Sequence, residues 1–420
     1  MNFPEMAVFH QRLVSLPVKD AVDKTRTVLE KVMKNRPQIA GKSVAVAVGS
    51  RGIDQLDTVV FEVIQFLKNQ GAKPFIVPAM GSHGGAGPEG QERLLASLGI
   101  SAKSAGVPVQ ADMDTRLAGE TAEGLRLYIS ASALDADLIV PVNRIKPHTK
   151  FFADIESGLC KMLAVGLGKE RGAAECHRFA VGHSFGWIES AARVLLERLN
   201  VVFGIALIED GRGRLSEIHA LPPESFVDEE KKLLRRAYAM MGRIPFEKID
   251  VLVVDGIGKE ISGIGMDSNV VGRHRDIAGD FHTSPDPRRI FVRELSEKSG
   301  GNANGIGLAD VTTSRLVSGI DAEKTAVNAV TAISPEKAAI PVHFETDRRC
   351  LRVCIHTAGL EKGEDAGIVR IRDTASLEFM EISRPLEKEI GPDAGLERIT
   401  PWRTWEFDKS GNLFSFYPED

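Results

Sequence analysis

Alternating apolar and polar stretches in the first part of the chain predict a β-α-β unit. Residues 43–48, SVAVAV, are a short β-branched run with the length of a buried strand. Residues 57–69 follow with apolar positions at helical spacing, and residues 73–77 predict a second strand. A further helix, over residues 20–35, precedes them. Two strands joined by a helix are expected to run parallel in one sheet.

Later apolar runs extend this sheet and begin another. Residues 137–142 and 201–208 predict two more strands. A glycine- and proline-containing break at residues 242–245 indicates a domain boundary, because residues 250–254, DVLVV, then open a new strand. The pattern is typical of the α/β class, and we expect two Rossmann-like α/β domains with an interdomain cleft.

The expected domains differ in their tasks. The first carries the candidate cofactor-binding and catalytic residues, and the second closes the cleft. An aromatic-rich tail is expected to pack back on the first domain. In order, the expected ranges are 1–245, 246–385 and about 386–420 for the tail.

Composition narrows the class of function. Of the 420 residues, 43% are hydrophobic and 26% charged, and the net charge is −5. We therefore expect neither nucleic acid nor a membrane surface as partner. No apolar run reaches the roughly eighteen residues of a membrane span, and the first residues lack the apolar core of a signal peptide. The cysteines form no CxxC pair and predict free thiols in a cytoplasmic protein: Cys160, Cys176, Cys350 and Cys354.

Three loops that follow predicted strands carry the candidate chemistry. The carboxyl ends of parallel strands share one edge of a sheet, which is where α/β sheets bind ligands. His83 and His148 are candidate bases, because an unperturbed imidazole titrates near neutral pH. Arg51 is a candidate clamp for a substrate carboxylate. The loops are Gly49–Ser50–Arg51, Gly81–Ser82–His83 and Pro147–His148.

Each of these residues also has a purely structural interpretation. His83 can cap a turn among glycines, His148 can be a structural histidine beside a proline, and Arg51 can form a surface ion pair. Lys161 and His177 are sixteen residues apart, and the residues alone do not distinguish them from ordinary helix residues.

The segment that contains these residues follows a recognisable order. Pro147–His148, Phe151–Phe152–Ala153, Ser157–Gly158, Lys161 and His177 succeed one another. This series resembles the nickel-pincer nucleotide-dependent lactate racemase family, whose members are racemases and epimerases of 2-hydroxyacids. The chain departs from the family where Asp154–Ile155–Glu156 replaces a glycine and an aromatic residue, which lengthens the loop between His148 and Lys161. A second departure is the absence of an aspartate in the loop before Arg51.

The resemblance implies a role for each matching residue of the first domain. His83 and His148 would be paired bases, and Arg51 would hold the substrate. Lys161 would carry a pyridinium thioacid mononucleotide with nickel through a thioamide bond, and His177 would be the protein ligand of the nickel.

Further cofactor contacts are implied as well. Ser50 in the first loop would contact the cofactor. In the second domain, Asp267 and Asn269 match a family segment that faces the cofactor across the cleft. Lys259 and Arg273 are the two candidates for a further basic residue near the substrate carboxylate.

The implied function is racemisation or epimerisation of a 2-hydroxyacid by proton-coupled hydride transfer. Its partners would be the hydroxyacid and the enzymes that make the cofactor. Two alternatives stay open. One is an NAD-dependent oxidoreductase, although GSRGID after the first strand lacks the GxGxxG pattern. The other is a protein that binds a nucleotide or metal without turnover.

Overall fold

The structure is a computed structural model that describes residues 2–34, 36–50, 52–276, 281, 284–391 and 394–417. It belongs to the mixed α/β class, as predicted. The strands are β1 Glu5–Gln11, β2 Ser43–Val48, β3 Lys73–Pro78, β4 Thr115–Glu120, β5 Arg126–Ser130, β6 Leu138–Arg144, β7 Gly204–Glu209, β8 Leu215–Leu221, β9 Lys248–Ile257, β10 Asp286–Leu295, β11 Val311–Thr313, β12 Val342–Phe344, β13 Ile368–Asp373, β14 Ser376–Ser383, β15 Leu396–Arg398 and β16 Arg403–Thr404.

Helices cover much of the remaining chain. The α-helices are α1 Ala21–Met33, α2 Leu56–Asn69, α3 Pro88–Ser97, α4 Ala102–Ala105, α5 Ala131–Asp135, α6 Leu159–Lys161, α7 Lys169–Gly182, α8 Trp187–Arg198, α9 Phe226–Met240, α10 Ser268–Val271, α11 Ser314–Ser318, α12 Ala322–Thr331 and α13 Asp347–Thr357. A π-helical turn spans Met162–Gly166. Short 3₁₀ segments lie at Gly84–Ala86, Pro223–Ser225, Glu297–Ser299, Ile306–Leu308, Pro335–Ala338, Gly363–Asp365 and Arg384–Glu389.

The chain folds into two compact units. The first unit is Ser15–Met241, and the second combines residues 2–14 with the described residues from Gly242 onward. This corrects the expected division at both ends. β1 belongs to the second unit because it pairs antiparallel with β14. The tail belongs there too, since Trp405 Nε1 donates a hydrogen bond to Glu381 Oε2 at 3.1 Å.

The first unit is built on a five-stranded sheet in the order β3-β2-β6-β7-β8. The first four strands are parallel, and β8 runs antiparallel to β7. The order reverses between β2 and β6, and ligands bind at the carboxyl edge beside such a reversal. Both sheet faces are covered, because Val44, Val46 and Val48 pack into one core, and Ala45 and Ala47 into the other.

The second unit is built on a nine-stranded mixed sheet. β9 to β13 are parallel to their neighbours within this group, and β14, β1, β15 and β16 add antiparallel pairings. This mixed sheet differs from the Rossmann-like sheet that we expected for the second domain. The difference arises because β14 folds back antiparallel on β13, and β1, from the other end of the chain, pairs antiparallel with β14.

A buried arginine of the second unit pairs with two acidic residues. Arg370 is almost fully buried and pairs with Asp255 at 2.8 Å and Glu381 at 2.8 Å. The same guanidinium donates a hydrogen bond to the Phe414 carbonyl at 2.8 Å. This contact is a further reason why the tail packs on the second unit.

Two other expectations concern the whole chain. All four cysteines are free, as predicted, and all four are buried. Among the described residues, no helix combines the length and the apolar character needed to cross a membrane.

Candidate active site

Two of the predicted loops meet at the carboxyl edge of the first sheet. Ser50 follows β2, His83 follows β3, and the Ser50 hydroxyl is hydrogen-bonded to His83 Nδ1. A hydroxyl can donate or accept, so either neutral tautomer of His83 is satisfied. When the hydroxyl accepts, His83 Nε2 keeps the lone pair that a base requires. Arg51, the predicted carboxylate clamp, lies outside the described residues.

His148 lies in the loop after β6 and stacks on aromatic side chains. Its ring centroid is 4.3 Å from that of Phe151, which in turn stacks on Phe185 at 3.8 Å. The backbone N–H of Lys150 donates to His148 Nδ1 at 3.0 Å. The neutral ring therefore carries its proton on Nε2 and is arranged as a donor. His148 can act as a base once the Lys150 contact is released.

Lys161 and His177 share the neighbourhood of this stack. Lys161 ends α6, and its Nζ lies 5.6 Å from the centre of the Phe151 ring. Burial, with a smaller contribution from the charges of Lys150 and Lys161, lowers the pKa of His177, on α7, to about 4. His177 is therefore neutral at neutral pH, and the neutral imidazole is the form that binds a metal.

The π-helical turn after Lys161 packs against the loop that follows β3. The backbone N–H of Gly81 donates to the Gly166 carbonyl at 3.0 Å. A Cβ added at Gly166 would lie 2.6 Å from the Ala79 carbonyl oxygen, so only glycine permits this approach. π-Helical turns are frequent at functional sites. The loop that carries one candidate base therefore touches the segment that carries the candidate tether.

The second unit holds the other predicted cofactor contacts, Asp267 and Asn269. Asp267 precedes α10 and caps it, because its Oδ1 accepts hydrogen bonds from the backbone N–H and the side-chain amide of Asn269, at 3.0 and 3.1 Å. Both side chains are mostly buried. The contacts found for the pair are structural, and their contact with a cofactor stays a prediction.

The two candidates for a second-unit carboxylate ligand differ in their surroundings. The Arg273 guanidinium pairs with Asp310 and donates to the Pro287 carbonyl at 2.7 Å. These bonds give Arg273 structural partners, and its contact with a substrate stays a prediction. Lys259 is exposed and follows the end of β9.

No family model matches the sequence, and no curated protein matches it. The chain is similar in fold to a lactate racemase. The lactate racemase apoprotein from Thermoanaerobacterium thermosaccharolyticum aligns with 88% of this chain and 94% of that chain, with a TM-score of 0.54 and 13% identity. At this identity the likeness concerns the fold.

Among the described residues, no three His, Cys, Asp or Glu side chains are grouped to hold a metal ion. His177 is half-buried, and its lowered pKa keeps the imidazole neutral, which is the form that binds a metal.

A buried lysine that sequence analysis did not single out braces the His83 loop. Lys169 Nζ donates to the Pro78 carbonyl at 2.9 Å and to Gln91 Oε1 at 3.1 Å. The amide nitrogen of Gln91 donates to the carbonyls of Gly81, at 2.9 Å, and His83, at 3.4 Å. Burial lowers the pKa of Lys169 to about 8. A local pattern could not reveal this role, because a lysine after a glycine loop ordinarily faces solvent.

A buried glutamate braces the start of α6 in the same way. Glu230 Oε2 accepts the backbone N–H groups of Leu159, at 2.8 Å, and Cys160, at 3.0 Å. Burial raises the pKa of Glu230 to about 7, against the lowering effect of these hydrogen bonds. Gly158 is the one local sign of this contact in the sequence, since a Cβ there would lie 2.2 Å from Glu230 Oε1.

Proposed function

We propose that this protein is a racemase or epimerase of a 2-hydroxyacid that works with a nickel-pincer nucleotide tethered to Lys161. One observation gives this proposal its main support. Lys161, His148 and a neutral His177 share one neighbourhood at the ligand-binding edge of the first sheet, on a fold similar to that of a lactate racemase.

The residues fit such a group in their chemistry. Lys161 offers an amine that can form an amide-type bond to an activated acid. His177 offers the neutral imidazole nitrogen that suits nickel. In this proposal Ser50 contacts the same group from the loop after β2. When bound, the pincer nucleotide supplies the acceptance and return of a hydride, and the protein orients the substrate and excludes water.

The two histidines would handle the proton of the substrate hydroxyl. His83 has a hydroxyl partner at Nδ1, so its Nε2 can start as the base. His148 would return a proton from Nε2 of its doubly protonated ring, which leaves a neutral imidazole and requires release of the Lys150 contact at Nδ1. For the reverse reaction the roles exchange, and both directions of the interconversion therefore need both residues. Arg51 is proposed to hold the carboxylate.

A racemisation assay tests this function. Protein produced together with the cofactor-making enzymes is incubated with single enantiomers of lactate, malate and an aromatic 2-hydroxyacid, and the products are separated by chiral chromatography. We expect one of these acids to reach an equal mixture from either enantiomer, and the Lys161→Arg variant to leave it unchanged. NAD-dependent oxidation to a 2-oxoacid, without racemisation, would contradict the proposal and favour the dehydrogenase alternative.

A further inference from the structure

The loop that carries His148 is closed at its base by backbone pairing. The N–H of Lys146 donates to the Ser157 carbonyl at 3.0 Å, and the N–H of Ser157 donates back at 3.3 Å. Between these two residues the chain leaves the sheet and returns. The position of His148 within this closed loop therefore depends on the contacts made inside the loop.

A buried carboxylate accepts hydrogen bonds inside this loop. Glu156 is completely buried. Its Oε2 accepts the backbone N–H of His148 at 2.5 Å, and its Oε1 accepts the N–H of Ala153 at 3.2 Å and the hydroxyl of Tyr238 at 3.0 Å. Buried backbone N–H groups are costly to leave without an acceptor, so these bonds order the loop.

The carboxylate also ties the loop to the rest of the first unit. Tyr238 belongs to α9, the same helix that braces α6 through Glu230. Burial raises the pKa of Glu156 to about 7, and the hydrogen bonds to it and the charge of Lys161 act in the opposite direction. One long helix thus fixes the two segments that carry His148 and Lys161.

Glu156 lies in the stretch where the loop is longer than in the resembled family. A longer loop loses more conformational entropy when it becomes ordered, and an internal acceptor for two of its N–H groups offsets that loss. We propose that Glu156 is a positioning residue, whose carboxylate holds the His148 backbone so that its ring stacks on Phe151 and accepts from Lys150. The catalytic consequence rests on the proposed function, whereas the positioning itself does not.

The test compares Glu156→Ala, Glu156→Gln and Tyr238→Phe with Asp154→Asn, a matched control in the same loop. The Asp154 side chain is 78% exposed and lies 3.5 Å from Lys231. The readout is the ring ¹⁵N spectrum of His148 in the protein without cofactor, assigned by its loss in His148→Asn. In the wild type we expect the neutral form with the proton on Nε2. Glu156→Ala should convert it to a mixture of tautomers, Glu156→Gln should do so less, Tyr238→Phe least, and Asp154→Asn not at all.

An unchanged His148 spectrum in folded Glu156 variants would overturn the proposal. If Glu156→Ala does not fold, Glu156→Gln and Tyr238→Phe decide the question, because each keeps part of the hydrogen-bond set. In the loaded enzyme, Glu156→Ala should lower kcat by about 10- to 100-fold with little change in KM, with partial rescue in Glu156→Gln. If the wild type racemises no hydroxyacid, the proposed function fails, and the ¹⁵N spectrum still tests the positioning role.

Discussion

His83→Asn and His148→Asn should each lower kcat for racemisation by about 10²- to 10⁴-fold, which is the usual contribution of a positioned acid or base. Asparagine keeps a polar side chain but cannot take up or release a proton at neutral pH. Both directions should be affected alike, because the residue that accepts the proton in one direction returns it in the other. The measurement is the initial rate from each pure enantiomer, followed by chiral chromatography.

His183→Asn is the matched control for these variants. His183 lies just after α7 in the same unit, is exposed, and stacks on Phe179 with centroids 3.8 Å apart. Its replacement should leave the rate unchanged. A His83→Asn or His148→Asn enzyme that keeps the wild-type rate in both directions would remove that histidine from the mechanism.

Gly158→Ala should destabilise the protein by about 3 kcal/mol. The new Cβ would lie 2.2 Å from Glu230 Oε1 and 2.4 Å from its carboxyl carbon. The Glu230 side chain is completely buried and accepts hydrogen bonds from the N–H groups of Leu159 and Cys160, so it cannot move away without losing these bonds. The free energy of unfolding, measured by urea denaturation and circular dichroism, should fall accordingly.

The control for this substitution is Gly182→Ala at the end of α7. No heavy atom lies within 4 Å of a Cβ placed there, and its φ is not in the left-handed region. Its effect should stay within about 0.5 kcal/mol. Equal stability of the two alanine variants would show that the contact between Gly158 and Glu230 does not constrain the start of α6.

The strands of the first sheet could be predicted because the hydrophobic pattern that specifies each strand lies within the strand itself. β2 covers residues 43–48, as the SVAVAV run indicated, since a short β-branched run covered on both faces has few other solutions. The grouping of Ser50 and His83 followed from the rule that parallel strands share their carboxyl edge.

The buried charged residues that support the candidate site could not be predicted from local patterns. Glu156, Lys169 and Glu230 are buried although charged residues of these types usually face solvent, and each has a hydrogen-bond partner distant in sequence. The same reason explains why β1 and the tail were expected in the wrong unit, since antiparallel pairing across more than 350 residues leaves no local signature. The ion pair of Arg273 could not be predicted for a related reason, because Asp310 lies 37 residues away in sequence.

Peptide mass spectrometry over Lys161, together with nickel analysis, is the most direct test of the central claim. The protein is produced together with the enzymes that make the pincer nucleotide, and the Lys161→Ala variant is produced in parallel. We expect a covalent nucleotide on Lys161, unmodified Lys150 and Lys169, and nickel that is missing from the variant. An unmodified Lys161 without nickel, under conditions that load a known lactate racemase, would contradict the account.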